Sequence, residues 1–355
     1  MNSKANRMVD AKQAAQKIAF SPFTFHSVIA LLELGILKIV DDAGKAGIKL
    51  SDISQQSKVG EYAVSVLVEA GISAEVLSRQ GDKILSTKTA QCFLYDETTR
   101  ININFIKDVC YKGAFYLTDS LRSGKPEGLK VFGDWKTIYE GLSELPAEVK
   151  KSWFAFDHFY SDDSFAQVLP ILLKNHPKRI FDIGCNTGKF ECSLFAHGYK
   201  GEIVMIDLPQ QLQTAFSNLT QNGFTHNFSL CPMDIVDKNS ILPDNPDIIF
   251  MSQFLDCFSK EQITAILKKV SAVMSKKTIC YILEPFFDKQ TYPAAVFSLT
   301  HISLYFTAMA NGQSKMYQSS EMIECINEAG LAAAQIHNKI GNYEYTLIEA
   351  VKKAH

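Results

Sequence analysis

The chain contains 355 residues, of which 46% are hydrophobic and 21% charged, a balance typical of a folded protein of about two domains. Its net charge of -2 provides no overall field that would attract nucleic acid or an anionic membrane. No apolar run reaches the roughly 18 residues that cross a bilayer, and the first residues lack the apolar centre of a secretion signal. The eight cysteines include no Cys-x-x-Cys pair, so neither a disulfide framework nor a zinc site is indicated. We therefore expect a cytoplasmic protein that requires no metal ion.

The N-terminal third is predicted to consist of helices followed by a small hairpin. One helix is predicted to end at Gly71, and Gly81 lies in the hairpin turn. The predicted helices cover residues 11–20, 25–40 and 61–70, with a short one starting at 50–53, and the hairpin strands cover 74–78 and 83–86. Helices followed by a hairpin of this kind form a winged helix.

A winged helix often binds DNA through one helix that carries Arg, Lys, Asn or Gln toward bases and phosphates. The corresponding helix here, residues 60–70, contains Glu61 and Glu69 and no basic residue. It is also apolar on most sides, which suits burial against a protein partner. The pattern therefore argues against DNA binding.

Residues 108–170 are rich in aromatic side chains and are predicted to connect this helical region to a second domain. Most of these rings are expected to form a core between the domains, because large aromatic side chains are buried more often than they bind ligands. The segment 153–165 immediately precedes the first strand of the second domain.

The second domain begins with a strand, a glycine turn and a helix. Residues 180–183 form a short apolar run, Gly184 opens a tight turn, and residues 189–197 are predicted to be helical. The spacing of Gly184 and Gly188 matches neither a dinucleotide fingerprint nor a phosphate loop. Asp182 at the strand end would repel phosphate, but it would suit a cationic ligand such as a sulfonium or ammonium group. A glycine turn that binds no ligand is the alternative.

Two further acids follow the next two predicted strands. Asp207 follows the strand over residues 201–206, about 20 residues beyond the glycines, where a carboxylate can accept both ribose hydroxyls of an adenosine. Asp234 follows the strand that ends at Cys231 and can accept the adenine amino group, with Ile235 packed on the ring. Because carboxyl ends of parallel strands meet at one edge of a sheet, we expect the acids to share a ligand site.

These motifs resemble those of the S-adenosylmethionine-dependent O-methyltransferases of the caffeate and hydroxyindole type, over nearly the whole chain. The D-x-G-G-G-x-G motif of that family corresponds to residues 182–188, with Cys185 and Asn186 in place of two glycines. The D-L-P motif is intact at residues 207–209, and G-D-M-F corresponds to residues 233–236.

The resemblance implies an α/β fold with a Rossmann-like class I methyltransferase sheet, mostly parallel, whose last strand is antiparallel. Alternation of strands and helices beyond Asp234 independently predicts such a sheet. We predict a winged-helix dimerisation domain (1–107), a helical aromatic-rich connector (108–170) and a cofactor-binding catalytic domain (171–355). The expected partners are a second copy of the chain and a small aromatic substrate, with neither nucleic acid nor a membrane.

The resemblance also assigns residues to the cofactor and to the acceptor. The cofactor, S-adenosylmethionine, is assigned to Asp182, Gly184, Cys185, Gly188, Asp207, Leu208, Asp234, Ile235, Ser252 and Gln253. The acceptor pocket is assigned to Phe156, Tyr160, Phe306, Met309 and Asn311. One or two rings of the segment 153–165 are expected to cover the methionine end of the cofactor, and Ser252 replaces a lysine that contacts the cofactor in the family.

The catalytic base of the family is a histidine after the fourth strand, and here that position is Asp256. Proton transfer from a phenol is about 3 kcal/mol harder to an ordinary Asp than to His. Burial could raise the pKa of Asp256, the acceptor could be more acidic than a phenol, or His301 could be the base. Asp256 could alternatively be a capping acid before the helix that begins near Ser259.

Glu284 corresponds to the family's carboxylate that orients the catalytic histidine, whereas the second such Glu is missing near Met316. The predicted catalytic residues are therefore Asp256, His301 and Glu284. The leading hypothesis is an O-methyltransferase that acts on a small hydroxylated aromatic. The alternatives are a relative that decarboxylates or hydroxylates an aromatic polyketide, as some relatives without the histidine do, and a non-catalytic winged-helix regulator.

Overall fold

The computed structural model describes residues 7–353, with the backbone alone described for Ser161 and Asp162. The chain divides into two compact units, Met1–Ile103 and Asn104–His355. The aromatic-rich segment 108–170 therefore lies within the second unit. The three-part division into 1–107, 108–170 and 171–355 remains a prediction about function.

The first unit is helical with a small antiparallel sheet in the order β1-β3-β2. Its core is formed by apolar residues spaced along the helices, including the fully buried Leu31, Ile53 and Val68. The elements are α1 (Met8–Ala19), α2 (Ser21–Glu33), α3 (Ile36–Asp42), β1 (Ile48–Lys49), α4 (Leu50–Ser57), α5 (Glu61–Ser73), β2 (Leu77–Gln80), β3 (Lys83–Ser86), α6 (Lys88–Tyr95) and α7 (Glu97–Phe105), which crosses the boundary between units.

Two of the predicted helices in this unit have other bounds than expected, and each difference involves a glycine. The single helix expected over residues 25–40 is interrupted at Gly35, whose φ of 69° ends the α-helical path between α2 and α3. Gly71 does not end α5, which continues to Ser73. A Cβ at Gly71 would lie 3.0 Å from side-chain carbons of Leu31 and Leu77, so this glycine allows close packing inside a helix.

The second unit contains helices on both faces of a seven-stranded sheet. Its helices are α8 (Leu117–Ser123), α9 (Ile138–Gly141), α10 (Ala147–Ser161), α11 (Phe165–Leu172), α12 (Lys189–Ala196), α13 (Pro209–Gln221), α14 (Lys260–Val273), α15 (Pro293–Tyr305) and α16 (Ser319–Glu328). Its strands are β4 (Arg179–Ile183), β5 (Glu202–Asp207), β6 (Phe228–Pro232), β7 (Ile248–Ser252), β8 (Ile279–Glu284), β9 (Leu331–Ile340) and β10 (Tyr345–Lys352).

The sheet has the strand order β6-β5-β4-β7-β8-β10-β9. The strands from β6 to β8 pair in parallel, whereas β10 pairs antiparallel with both β8 and β9. Central strands such as β4 and β7 are buried on both faces, as expected from their continuous apolar runs. The predicted mostly parallel sheet with an antiparallel last strand is confirmed. Its order reverses at β4 and β7, which is where ligands bind in such sheets.

Helix α15 continues into a π-helical turn, Phe306–Ala310. The whole segment Pro293–Ala310 is long and apolar enough to cross a membrane by length and composition, so the expectation that no segment reaches this length is wrong. One side of it packs in an apolar core, where Nε1 of Trp153 donates to the hydroxyl of Tyr305 at 2.8 Å. These contacts are typical of a core helix in a folded domain.

Candidate functional site

The glycine turn after β4 lies at the carboxyl edge of the sheet. Gly184 has a φ of 86°, and its N–H donates to the carbonyl of Ile206 on the neighbouring strand at 2.9 Å. A Cβ at Gly184 would overlap the ring of Phe254, so only glycine fits there. Gly188, with a φ of 77°, opens α12. The turn thus brings bare backbone to the edge where ligands bind.

Asp207 organises this turn from the end of β5. Its carboxylate accepts the N–H of Asn186 at 2.8 Å and the N–H of Leu208 at 2.7 Å. Burial raises the pKa of Asp207 to about 6, while these two hydrogen bonds act in the opposite direction. A carboxylate has about four lone-pair sites. Asp207 can therefore hold the turn and still accept hydrogen bonds from the hydroxyls of a ribose.

The other two strand-end acids have different surroundings. Asp182 is buried beside Asp207, and burial, followed by the charge of Asp207, raises its pKa to about 7. Asp234 is exposed and accepts the N–H of Val236 at 3.1 Å, while Ile235 next to it is buried. The edge therefore presents one buried acid, Asp182, and one exposed acid, Asp234. The roles proposed for Asp234 and Ile235 at adenine remain predictions.

Two polar side chains at the end of β7 complete this edge. Ser252 Oγ and Gln253 Nε2 are buried and have no hydrogen-bond partner among the described residues. Gln253 is held by the hydroxyl of Tyr345, which donates to its Oε1 at 3.0 Å, and it has a φ of 47°. Buried donors without partners cost free energy unless a ligand satisfies them. They are suited to acceptor groups of a bound molecule.

These features fit S-adenosylmethionine. The edge offers carboxylates for a cationic nucleoside, a glycine that allows close approach and buried donors that lack partners. Asp182, Gly184 and Asp207 would hold this cofactor, and Ser252 and Gln253 would meet its polar end. Cys185 is buried within the glycine turn, and Leu208 directly follows Asp207 and donates its N–H to that carboxylate, so the cofactor roles of Cys185 and Leu208 remain predictions.

Helix α10 contacts the glycine turn through residues that the sequence did not reveal. Asn186 Nδ2 donates to a carboxylate oxygen of Asp157 at 2.7 Å. Thr187 Oγ1 lies 3.5 Å from Nε2 of His158. Asn186 occupies a position that is glycine in the family and adopts a φ of 49°, which could have marked it. Nothing in the sequence pattern marked Asp157.

Asp256 lies in a short helical turn, Leu255–Cys257, just beyond β7. It is only 7% exposed, and burial raises its pKa to about 6. Glu284, 1% exposed at the end of β8, accepts the N–H of Phe254 at 3.1 Å and the N–H of Leu255 at 2.8 Å. Glu284 therefore holds the backbone that carries Asp256. Burial and then the charge of Asp256 raise the pKa of Glu284, while the backbone hydrogen bonds oppose that shift.

Cys257 connects Asp256 to other groups. Its thiol donates to Oδ1 of Asp256 at 3.5 Å and accepts the hydroxyl of Tyr139 at 3.0 Å. Its carbonyl accepts Nδ2 of Asn311 at 2.8 Å, and the same amide group donates to Ser314. The side chain of Asn311 thus holds the turn by a hydrogen bond to the backbone of Cys257. Tyr139 and Cys257 were missed because their roles depend on contacts between distant segments.

His301 is exposed on α15, with Nδ1 2.8 Å from the carbonyl of Phe297 and its ring stacked on that residue. No hydrogen bond between His301 and Asp256 is present in the described residues. Phe306 and Met309 are buried in an apolar core. The structure therefore groups Asp256, Glu284 and Asn311 by hydrogen bonds to one turn, whereas His301 is exposed and its ring bonds to its own helix.

The aromatic candidates of α10 lie in a ring cluster. Phe156 stacks on Phe105 with ring centroids 4.0 Å apart, and it contacts Tyr160 at 5.1 Å. Tyr160 in turn packs against Tyr343, with centroids 5.0 Å apart. Their roles toward an acceptor or the methionine end of the cofactor remain predictions.

Comparisons with known proteins agree with this geometry. Residues 12–84 match the Dimerisation2-like domain, and residues 174–350 match a methyltransferase domain. The L-tyrosine C(3)-methyltransferase of Streptomyces lavendulae is 20% identical over 317 residues, which cover 88% of this chain and 85% of that protein.

Among solved structures, the mitomycin 7-O-methyltransferase MmcR aligns with a TM-score of 0.72 and 14% identity over 99% of this chain and 100% of that one. The O-methyltransferase NcsB1 of neocarzinostatin biosynthesis, in complex with S-adenosyl-L-homocysteine and 1,4-dihydroxy-2-naphthoic acid, aligns with a TM-score of 0.66 and 16% identity. That alignment covers 93% of this chain and 96% of that one. The resemblance drawn from the motifs is confirmed. The chain belongs to the S-adenosylmethionine-dependent methyltransferases that carry an N-terminal dimerisation domain.

Proposed function

We propose that this methyltransferase transfers the methyl group to a hydroxyl oxygen of a small aromatic substrate, with Asp256 as the base. The observation that carries this proposal is the buried Asp256 at the position of the family's catalytic histidine. Bound S-adenosylmethionine supplies an electrophilic methyl group and leaves as S-adenosylhomocysteine. The chain must align the acceptor oxygen and remove its proton.

The raised pKa makes Asp256 a stronger base than an ordinary carboxylate. Transfer of a proton from a phenol with a pKa near 10 costs about 8 kcal/mol with an Asp of ordinary pKa. With the pKa of Asp256 at about 6, the cost falls to about 5 kcal/mol. This is close to the cost with a histidine, so burial offsets most of the replacement. Hydroxyaryl acids and other acidic phenols would lower it further.

Three neighbours support Asp256 in this role. Glu284 fixes the backbone of the turn, and Asn311 holds the turn through the carbonyl of Cys257. The thiol of Cys257 donates to the carboxylate and so limits the rise of its pKa. At neutral pH, Asp256 is therefore mainly ionised and ready to accept a proton.

The aromatic class of the acceptor is supported by the rings packed around α10 and by a structural relative. NcsB1 was crystallised with 1,4-dihydroxy-2-naphthoic acid, an acidic hydroxyaryl compound. Phe156 and Tyr160 lie in the ring cluster of α10, which could provide an apolar wall for such a ring.

A second candidate is methylation of an aromatic carbon next to the hydroxyl. It is favoured by the Streptomyces lavendulae relative, which is named as a C-methyltransferase of L-tyrosine. Removal of the phenolic proton would activate that carbon as well as the oxygen. The same Asp256 would then serve both reactions, and the position of the methyl group would separate them.

The test is incubation of the purified protein with methyl-labelled S-adenosylmethionine and a panel of phenols and hydroxyaryl acids. We expect a labelled product in which NMR places the methyl group on oxygen. A label on ring carbon would establish the second candidate. Binding of S-adenosylhomocysteine with no transfer to any acceptor would contradict both, and a product mass showing loss of carbon dioxide or gain of oxygen would indicate the decarboxylase or hydroxylase alternative.

His301 remains the rival base. A comparison of the variants Asp256→Asn and His301→Ala on the same acceptor separates the two proposals. If Asp256 is the base, His301→Ala retains most of the activity while Asp256→Asn does not. The opposite order of effects would assign the base to His301.

We also propose that the chain is a homodimer assembled through its first unit. Large apolar side chains of that unit are exposed, as expected for a surface that a partner covers. They are Met8, Val9, Ile18, Phe20, Phe23, Tyr62 and Val66. Sedimentation equilibrium should give twice the mass of the chain, and the paired replacement of Phe20 and Phe23 by Ser should yield a monomer.

A further inference from the structure

A second carboxyl group lies beside Asp182 beneath the glycine turn. Glu191 is in the first turn of α12, it is fully buried, and neither of its carboxyl oxygens has a hydrogen-bond donor among the described residues. The carboxyl groups of Asp182 and Glu191 nevertheless lie close to each other, since each acts on the pKa of the other. Two ionised carboxylates contain no proton to share. That contact is therefore a hydrogen bond only when one of them is protonated.

Among the described residues, no positively charged side chain is among the groups that shift the pKa of Asp182 or Glu191. The titratable groups that act on the pair are Asp207 on β5, Cys185 in the glycine turn and Cys192 on α12. Burial keeps the pKa of the Cys185 thiol well above its usual range, so that thiol is neutral. His158 of α10 faces Thr187 of the same turn. Burying an uncompensated charge costs several kcal/mol, so the pair holds one proton when no cationic ligand is present.

We propose that Asp182 and Glu191 share one proton in the free protein and release it when the positively charged half of S-adenosylmethionine binds. Binding places positive charge at the edge formed by Asp182 and the glycine turn, which stabilises the doubly ionised pair. The proton leaves the Glu191 carboxyl for solvent, and no other bond changes. Burial, followed by the charge of Asp182, raises the pKa of Glu191 well above its usual range, which identifies it as the proton's main site.

Glu191 would then make cofactor affinity depend on pH. While the free pair is protonated, release of one proton makes binding tighter by up to about tenfold for each unit rise in pH. The dependence should weaken above the pKa at which the free pair loses its proton. Glu191 is thus a residue that tunes binding of the charged cofactor, independently of which acceptor is methylated.

The experiment is isothermal titration calorimetry of S-adenosylmethionine into the full-length protein at one pH near neutrality, in two buffers of low and high ionisation enthalpy. The difference in heat gives the number of protons released on binding. We expect release by the wild type and a clearly smaller release by Glu191→Gln, in which Asp182, with a pKa of about 7, is the only carboxyl group of the pair left to titrate. Adenosine, which lacks the charged half, should release none.

The matched control is Glu202→Gln, which neutralises an exposed acid at the opposite end of β5, paired with Arg179 at 3.0 Å. It should release as many protons as the wild type. Equal heats in both buffers for the wild type would overturn the proposal, as would release that is undiminished in Glu191→Gln or appears with adenosine. The wild-type measurement stands even if Glu191→Gln fails to fold.

Discussion

The two halves of the site are built from different kinds of contact. The cofactor half consists of a glycine turn and strand-end acids, where Asp207 holds backbone N–H groups one and twenty-one residues away. The half that we propose to bind the acceptor centres on Asp256, whose turn is held by Glu284, Tyr139 and Asn311 from distant parts of the chain. The first half follows the family's motifs closely, whereas the second has Asp256 at the position of the family's catalytic histidine.

The difference shows which parts of the chemistry constrain the residues. A ribose and a positive sulfur require carboxylates and bare backbone at fixed positions, because those groups bind a ligand that does not vary. The base needs only a pKa close enough to that of its acceptor. Burial supplies this for a carboxylate, so the acceptor half can change its residues together with its substrate.

The largest expected effect is a loss of turnover that leaves cofactor affinity unchanged. Asp256→Asn removes the base while it preserves shape, and loss of a general base lowers kcat by about 100- to 10,000-fold. The affinity for S-adenosylhomocysteine should stay within about twofold, because Asp256 belongs to the acceptor half. Steady-state rates and calorimetry give the two numbers. A kcat close to that of the wild type would show that Asp256 is only a structural acid of its turn.

The next prediction concerns a variant in the cofactor half that should weaken cofactor binding. Asp207→Ala removes an acceptor for the ribose hydroxyls as well as the anchor of the glycine turn, and we expect cofactor binding to weaken about 100-fold. Glu202→Gln at the other end of the same strand is the control and should bind normally. Calorimetry with S-adenosylhomocysteine provides the measurement. Retained affinity in Asp207→Ala would refute the assignment of this carboxylate to the ribose.

A smaller effect is expected from the glycine between the halves. Gly184→Ala forces a positive φ on a residue with a Cβ and pushes that Cβ into Phe254, so we expect a loss of about 2–3 kcal/mol in the free energy of unfolding. Gly198→Ala has the same strain at a φ of 90° but open space around it, and it should lose about 1 kcal/mol. Urea unfolding compares the two. Equal losses would mean that contact with Phe254 is unimportant.

The fold and the identity of the cofactor were predictable because their signals are local. Asp182 and Asp207 each end an apolar run, and glycines follow the first of them within a few residues. The mostly parallel character of the sheet follows from the alternation of strands and helices. By contrast, the predicted helices were wrong at Gly35, which breaks the helix expected over residues 25–40, and at Gly71, which does not end one. A glycine can break a helix or allow close packing inside it, and its neighbours in sequence do not distinguish the two.

The acceptor half was only partly predictable, since it depends on contacts over long distances in the chain. The carboxylate of Glu284 meets the turn of Asp256 thirty residues away, and Tyr139 reaches Cys257 across 118 residues. Glu191 was overlooked for another reason. An acid in the first turn of a helix is ordinarily explained by the helix dipole, and only the structure shows that this one is fully buried.

The smallest effect tests how the acceptor half sets the basicity of Asp256. Asp256 acts as a base only when ionised, so kcat/KM should fall as the pH drops below about 6, its pKa in the folded protein. Cys257→Ala removes a donor that favours the ionised form. The pKa should therefore rise by roughly 0.5 unit, the acid limb should move to higher pH, and activity on that limb should fall about threefold. Cys257→Ser, a stronger donor, should move the limb the other way.

The control is Cys280→Ala, which changes a buried cysteine on β8 and should leave the acid limb in place. A limb that moves equally in Cys257→Ala and Cys280→Ala would reflect general loosening of the core, and a limb that moves in neither would show that the thiol does not act on the carboxylate.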